Sequence, residues 1–454
     1  MRWSWWLLFV GCCLVGAGTT HQQQQQQQQQ DEATLPRCKD GLCQTLGGTD
    51  DIMEEVVEEE RGPGWPQGET FRILAVEKGK KYGPLVVLDD LERGWRVLVS
   101  RNSLIGGEWH TDPPQNIFSV FHVMAALRFL LSPSPTNNLL QMQAFSSLSL
   151  ISLLRVLTFL FRSLSLSLIS YTNFSLSLSL SLSLSLSLLF LFSEYAPLSF
   201  SLFNSGVGIG STAKSLEAAG VVSHMDVVDI NPVVLQYARE FFGFRGGSSA
   251  GAEFAMDGRL FLEQASQRDL RYDAILHDVF EGGSTASHLL TQETFRTIRD
   301  LLRPPNGVLV LNFFGFAKGT KRQMSATWSI FRTLRSVFPH VRCFVDQPPD
   351  RVPSAKYLVA NLVFFASEHS IQFNLPDDVK SWKSEGEDAY WIWNHFEEWE
   401  LPMEEAAQES DGAHLITDED NPMDKLQQVI TTAFLKEYKS YVPAPVREFM
   451  NSLR

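Results

Sequence analysis

The run Ser205-Gly206-Val207-Gly208-Ile209-Gly210-Ser211 is followed, nineteen residues past its last glycine, by Asp229 at the end of Met225-Asp-Val-Val-Asp229. Glycines at a strand-to-helix turn let the main chain approach a ligand and open a helix toward it, while a carboxylate on the next strand grips ribose hydroxyls. The pair predicts a site for an adenosine-containing molecule. A glycine trio also occurs where packing alone requires it, so the reading depends on what comes next along the chain.

Three apolar runs follow: Phe254-Ala-Met-Asp257-Gly258, Tyr272-Asp-Ala-Ile-Leu-His-Asp278 and Gly307-Val-Leu-Val-Leu-Asn-Phe313. Between them, residues 291–302 and 324–338 carry helical spacing. Strands alternating with helices imply a mostly parallel sheet covered on both faces. Ligands of such sheets sit at the carboxyl ends of the strands, where Gly206, Asp229, Asp257 and Asp278 converge.

These residues resemble the spermidine synthase-like branch of the class I S-adenosylmethionine-dependent transferase superfamily. The resemblance runs through Gly206-Val-Gly-Ile-Gly210, Val228-Asp-Ile-Asn-Pro232, Met256-Asp-Gly-Arg259 and Tyr272-Asp-Ala-Ile-Leu-His-Asp-Val-Phe-Glu-Gly-Gly283. It continues through Leu290-Thr-Gln-Glu-Thr-Phe295 and Gly307-Val-Leu-Val-Leu-Asn312, and covers residues 65–131 and 204–370. It implies an α/β fold with a doubly wound, Rossmann-like sheet of seven strands. The last strands would form an antiparallel pair, here residues 342–346 with 357–366. A small N-terminal β domain is also implied, and Arg72-Ile-Leu-Ala-Val76, Pro84-Leu-Val-Val-Leu88 and Arg96-Val-Leu-Val99 supply alternating strands for it.

Carried over by residue, the resemblance implies that Gly206, Gly208, Gly210 and Gly258 line the nucleotide. Asp229 would bind the ribose, and Asp257 the adenine amino group, of S-adenosylmethionine or its decarboxylated form. Asp278 would lie beside a small cationic amine, with Glu281 as a second carboxylate able to hold that amine and accept its proton. One departure matters. Polyamine synthases carry Tyr-His-Glu before the nucleotide domain, and the matching stretch is Phe121-His122-Val123, which lacks a hydroxyl and a charge. Either the substrate differs, or His122 and Glu281 take over catalysis, or turnover is absent; the plainer reading of His122 is a packed or surface histidine. Polyamine aminopropylation is the nearest analogy, with methyl transfer and a non-catalytic nucleotide-binding relative as alternatives. Leu104-Ile-Gly-Gly-Glu-Trp109 resembles divergent members, some membrane-associated, so membrane association enters the expectation, as does a homodimer through the β domain.

The net charge of -14 opposes nucleic-acid binding and suits a cationic substrate, although much of it lies in residues 50–60 and 385–405, which read as solvated faces or tails. Arg2, the apolar residues 3–15 and Gly16-Ala-Gly18 have the layout of a signal peptide over residues 1–20, predicting the secretory pathway. Residues 21–64, with glutamines at 22–30, are expected to be disordered. Cys38 and Cys43 form a local disulfide or a pair of free thiols, and Cys343 reads as a buried apolar residue. No Cys/His cluster has metal-ligand spacing, so no metal is expected.

Residues 132–203 are a low-complexity Ser/Leu insertion in which the two residues alternate strictly at 175–188. Alternation places leucines on one face of a strand but all round a helix. The segment is either a membrane span or a translated CT repeat, for instance a retained intron; Asn173-Phe-Ser175 is a glycosylation sequon only if it enters the lumen. In the intron case Leu198-Ser-Phe-Ser-Leu-Phe203 replaces the original first strand, with apolar residues at alternate positions. Residues 371–454 form a C-terminal helical extension. Within it, Asp418 and Asp420 either face the amine pocket or cap a helix at 423–436, and the tryptophan-rich 391–399 reads as a packing face.

Overall fold

The computed structural model describes residues 70–79, 82–100, 103–111, 115–131, 200–246, 251–280, 285–346, 357–375, 396–404 and 412–453. The expectations for the signal segment, the glutamine run, Cys38, Cys43, residues 132–199 with Asn173, and Glu281 lie outside the described residues.

Strands β1 (Phe71–Glu77), β2 (Leu85–Asp90), β3 (Trp95–Ser100), β4 (Ser103–Trp109) and β5 (Gln115–Asn116) form an antiparallel sheet in chain order. Alternation explains why both its faces are buried. Phe71, Ile73, Val86, Leu88, Val97 and Val99 pack on one side, and Leu85, Val87 and Leu98 on the other. Asp89 is fully buried in this sheet, where Arg72 and Arg96 donate to it at 2.9 and 2.7 Å and His110 lies at 3.1 Å. Arg96 also donates to the carbonyl of Phe241 at 3.0 Å, tying this sheet to the next domain.

The helical run at 119–131 is two pieces, α1 (Ser119–Ala125) and α2 (Leu127–Leu131), interrupted at Ala126. Beyond the insertion come β6 (Phe200–Ser205), α3 (Ser211–Ala218), β7 (Val222–Asp229), α4 (Pro232–Phe242), β8 (Glu253–Ala255) and α5 (Gly258–Gln267). These are followed by β9 (Ala274–His277), α6 (Gln292–Leu301), β10 (Val308–Lys318), α7 (Lys321–Arg335), β11 (His340–Val345) and β12 (Leu358–Ser367). The seven strands, the number expected, lie in the order β11-β12-β10-β9-β6-β7-β8. Strands β6 to β10 are mutually parallel, and β12 runs antiparallel to both β10 and β11, which is the expected terminal pair.

β6 is thus an interior strand beside the central β9, where the strand order reverses, and ligands of open α/β sheets bind at such a switch point. One face of the sheet buries Phe203, Ile275, Leu309 and Leu311; the other buries Leu202, Leu276, Val310 and Val363 under Val123 and Met124 of α1. Phe396 and Trp399 are buried, and Phe396 stacks on Phe344 at 4.4 Å, while Cys343 is buried on the opposite face, as read from the sequence. Helices α8 (Met423–Tyr441) and α9 (Ala444–Ser452) end the chain, and Val446 and Met450 of α9 return to the N-terminal sheet. Among the described residues no helix is long and apolar enough to cross a membrane.

Candidate nucleotide and amine site

The glycine turn sits where β6 ends. Gly206 has φ +79°, and a Cβ there would collide with the Asp278 carbonyl group, lying 2.7 Å from its carbon; only glycine lets the tips of β6 and β9 touch. Gly210, at φ +76°, precedes the first turn of α3, and a Cβ there would lie 2.5 Å from the Phe244 ring.

At the tip of β7, Asp229 accepts the Asn231 N–H at 2.9 Å and the N–H groups of Val207 and Gly208. Burial pushes its carboxyl up to about 6, and these three donors hold it below where burial alone would take it. The carboxylate is therefore fastened to the glycine turn on one side and faces the cavity on the other.

Asp257 follows β8 and caps α5, its Oδ1 accepting from Arg259 N and Leu260 N at 2.9 and 3.1 Å. Its Oδ2 lies 3.0 Å from Nε2 of His288. The residue read as an adenine ligand thus also has a structural role. Arg259 makes a two-pronged bond to Asp418 at 2.8 and 2.5 Å, which lowers the Asp418 carboxyl through that bond. Neither Asp418 nor Asp420 lines the cavity, and the cap of α8 is Asn421, whose Oδ1 accepts Met423 N–H at 3.1 Å. Both alternatives read for that acidic pair are corrected: Asn421, two residues before the helix start, is the residue whose side chain reaches the orphan N–H.

Asp278 lies just past β9. Burial pushes its carboxyl up to about 6, opposed by a 2.8 Å bond from Asn312 Nδ2 on β10. With Nδ2 so engaged, the Asn312 carbonyl oxygen is shielded and has no hydrogen-bond partner. Farther along the same edge, Asp346, beyond β11, is 7 % exposed and accepts from Asn361 N and Nδ2 at 3.0 and 2.7 Å.

A cavity of about 360 Å³ joins these groups, within the range typical of small-molecule sites. It brings together Gly206, Gly208, Asp229, Asp257, Gly258 and Asp278 of the expected residues. Gly210 shapes the turn without lining the cavity. Of the Phe121-His122-Val123 stretch only Phe121 faces it: Val123 is fully buried in the core, and His122 is half-buried on α1 away from the lining. His288, Asn312, Asp346 and Asn361 also line the cavity, and sequence reasoning gave none of them a role. Asn312 ends the quoted run from Gly307, and a polar residue closing an apolar strand beside Asp278 is the signal that could have found it.

No family model matches the chain. It is 34% identical over 126 residues to a polyamine aminopropyltransferase of Vibrio vulnificus, covering 28% of this chain and 42% of that protein. It is 25% identical over 281 residues to an N-terminal histidine N-methyltransferase of Emericella nidulans, covering 60% of this chain and 38% of that protein. The chain thus spans about two fifths of the length of these curated relatives. A crystal structure of a probable spermidine synthase from Corynebacterium glutamicum aligns with TM-score 0.43 at 13% identity, covering 68% of this chain and 84% of that one. The strand order, the glycine turn and carboxylates at the strand tips, and the aminopropyltransferase and methyltransferase matches together support a divergent spermidine synthase-like, class I S-adenosylmethionine-dependent transferase.

Proposed function

We propose that this protein transfers an alkyl group from S-adenosylmethionine or its decarboxylated form to an amine, with aminopropyl transfer to a polyamine as the leading reading. The observation that carries it is the convergence of the Gly206 turn, Asp229 and Asp278 on one cavity. The residues fit a nucleoside. Asp229 is fixed to accept from ribose hydroxyls, and Ile230, Met256 and Leu289 supply apolar walls for a base between it and Asp257. Ile230 is 49 % exposed, an aliphatic side chain left uncovered inside a cavity.

The sulfonium of the donor supplies an electrophilic carbon and a neutral thioether leaving group. Asp278 holds the acceptor nitrogen and takes its proton as the N–C bond forms and the C–S electron pair returns to sulfur. With its carboxyl raised to about 6, it is ionised at neutral pH yet basic enough for that transfer. Phe121 covers the amine with an apolar ring.

The longer match to an N-methyltransferase favours a second reading, methyl transfer to an amine. The two differ at the donor's tail, since the carboxylated donor needs a partner for its carboxylate and the decarboxylated one presents only an ammonium, which suits Asp278. Calorimetry with each donor, and mass analysis after incubation with putrescine or spermidine, separate them. A gain of one aminopropyl group supports the leading reading, a methyl gain or clear preference for the carboxylated donor supports the second, and nucleotide binding without product defeats both. Asp229→Ala is expected to weaken binding of either donor at least tenfold; unchanged affinity removes the ribose assignment.

A further inference from the structure

We infer that the C-terminal extension takes part in donor binding: Asn421, with Gln427 of α8 behind it, is a positioning residue that holds the wall against which the base lies. This rests on the cavity receiving the nucleoside of an adenosyl donor.

The wall is a short element. Ser287–Leu289 forms a single 3₁₀ turn, and Ala286, His288 and Leu289 line the cavity together with Met256 and Asp257. Nε2 of His288 lies 3.0 Å from Oδ2 of Asp257, so the same turn orients the carboxylate read as the adenine ligand. One turn of 3₁₀ helix has poor hydrogen-bond geometry and little stability of its own. Its internal bonds run from Leu289 N to Ala286 O at 3.0 Å and from Leu290 N to Ser287 O at 3.1 Å.

The far end of the chain supplies the rest. Gln427, 2 % exposed, lays its amide along the main chain of Thr285, accepting the N–H at 2.7 Å and donating to the carbonyl at 3.0 Å. Asn421 donates Nδ2 to the Ser287 carbonyl at 2.9 Å. Arg259, gripped by Asp418, reaches the carbonyl of His288 at 3.4 Å, and the Gln292 N–H that opens α6 donates to the Ile416 carbonyl at 2.8 Å. Main-chain groups on both sides of the turn are thus fastened to one C-terminal segment. Apolar packing lets a wall slide, whereas directional bonds from a supporting layer fix binding groups to within about 0.5 Å.

The Asn421 amide does two separable jobs. Its Oδ1 caps α8 at Met423 N, and its Nδ2 holds the turn. Aspartate and serine both keep an acceptor for the cap. Neither replaces Nδ2, because a carboxylate has no hydrogen to donate and the serine hydroxyl ends one bond short.

The test measures binding of S-adenosylmethionine and its decarboxylated form to the full chain by calorimetry, for wild type, Asn421→Asp and Asn421→Ser. Denaturant unfolding and hydrogen exchange are followed on the same proteins without ligand. Both variants are expected to keep the wild-type unfolding midpoint and full binding stoichiometry while donor affinity falls about five- to tenfold, the worth of one hydrogen bond. Amides of residues 285–290 exchange faster in both, and those of α8 do not. With an acceptor that turns over, the loss appears in the donor KM and kcat is retained. A merely structural role gives the opposite pattern, a lower midpoint and stoichiometry with unchanged affinity, and overturns the proposal. Unaltered exchange at 285–290 also overturns it, as does an affinity loss confined to Asn421→Asp, which traces to the added charge. In each of these cases the nucleotide reading stands. A wild type that binds neither donor overturns that reading, and this proposal with it.

Discussion

Two glycines, one at the site and one away from it, measure how far the nucleotide turn depends on contact between main chains. Gly243 follows α4 with φ +64°, and a Cβ there meets nothing within 4 Å. Gly243→Ala therefore carries only the left-handed conformational penalty, about 1–2 kcal/mol. Gly206→Ala carries the same penalty at φ +79° and adds a collision with the carbonyl group of Asp278, a main-chain atom set that a rotamer change cannot move aside. Separating β6 from β9 strains the 2.9 Å bond from Asp278 N to Ser205 O that joins their ends. Loss of that bond adds about 1 kcal/mol or more, giving a total of about 3 kcal/mol. Denaturant unfolding and donor calorimetry on both variants form the assay. Gly206→Ala is expected to lose about 1–2 kcal/mol more stability than Gly243→Ala and at least tenfold in donor affinity, while Gly243→Ala keeps wild-type affinity. Equal losses of stability, or unchanged affinity in Gly206→Ala, refute the close approach of the two strand tips.

Asp278→Asn is expected to lower transfer at least a hundredfold and to abolish the acid limb below about pH 6 in the wild-type rate profile. Its effect on stability has the opposite sign. A carboxyl raised from 3.8 to about 6 binds its proton more tightly folded than unfolded, so it costs stability when ionised and that cost disappears as the pH falls toward 4. At pH 7 the variant is expected to be more stable than wild type by about 1 kcal/mol, discounted for the partial exposure of the site, with the difference gone near pH 4. Asp89 behaves in the reverse way. Burial works to raise its carboxyl, but the bonds from Arg96 and Arg72 outweigh that and hold it below its ordinary value, so its contribution is present above the unfolded value and lost as the pH falls through the folded one. Asp89→Ala strands Arg96 between the two domains and is expected to cost about 3 kcal/mol at pH 7 by denaturant unfolding.

The sequence made the nucleotide half of the site legible because its signals are local. A glycine turn, the acid that ends the next strand and an apolar strand closing in Asp278 each announce themselves within about ten residues. The proposed amine half is assembled across strands. Asp346 meets Asn361 only because β12 folds back between β10 and β11, and no periodicity marks that pairing. The same distance in sequence hid the docking of Val446 and Met450 on the strands around Phe71. The amphipathic pattern of α9 says that one face is buried, and only the tertiary structure says against what. Reading Asp418 and Asp420 as caps went wrong for a local reason. Four acceptors stand in Asp418-Glu-Asp-Asn421, and the start of α8 at Met423 selects the asparagine.

Strand β6 is the least expected element. β6 begins at the end of the Ser/Leu segment, and its sequence, Phe200-Ser-Leu-Phe-Asn-Ser205, has three polar residues where a fully covered parallel strand is usually a continuous apolar run. It is held by its neighbours all the same. Ladders to β7 and β9 engage it on both sides, and Leu202 and Phe203 are fully buried on opposite faces. Phe203 carries the larger share, stacking on Phe261 at 4.6 Å and lying against Tyr272 at 5.7 Å. With this strand held between β9 and β7, Phe203→Ala opens a cavity in the main core and costs about 3–5 kcal/mol. Ser201→Ala, at a half-buried position whose backbone alone bonds Asp273, is expected to change stability by less than about 0.5 kcal/mol. Denaturant unfolding of the two variants distinguishes the cases. A Phe203→Ala loss below about 1 kcal/mol means that another segment fills the gap between β7 and β9, and the turn at Gly206 then loses the strand that positions it.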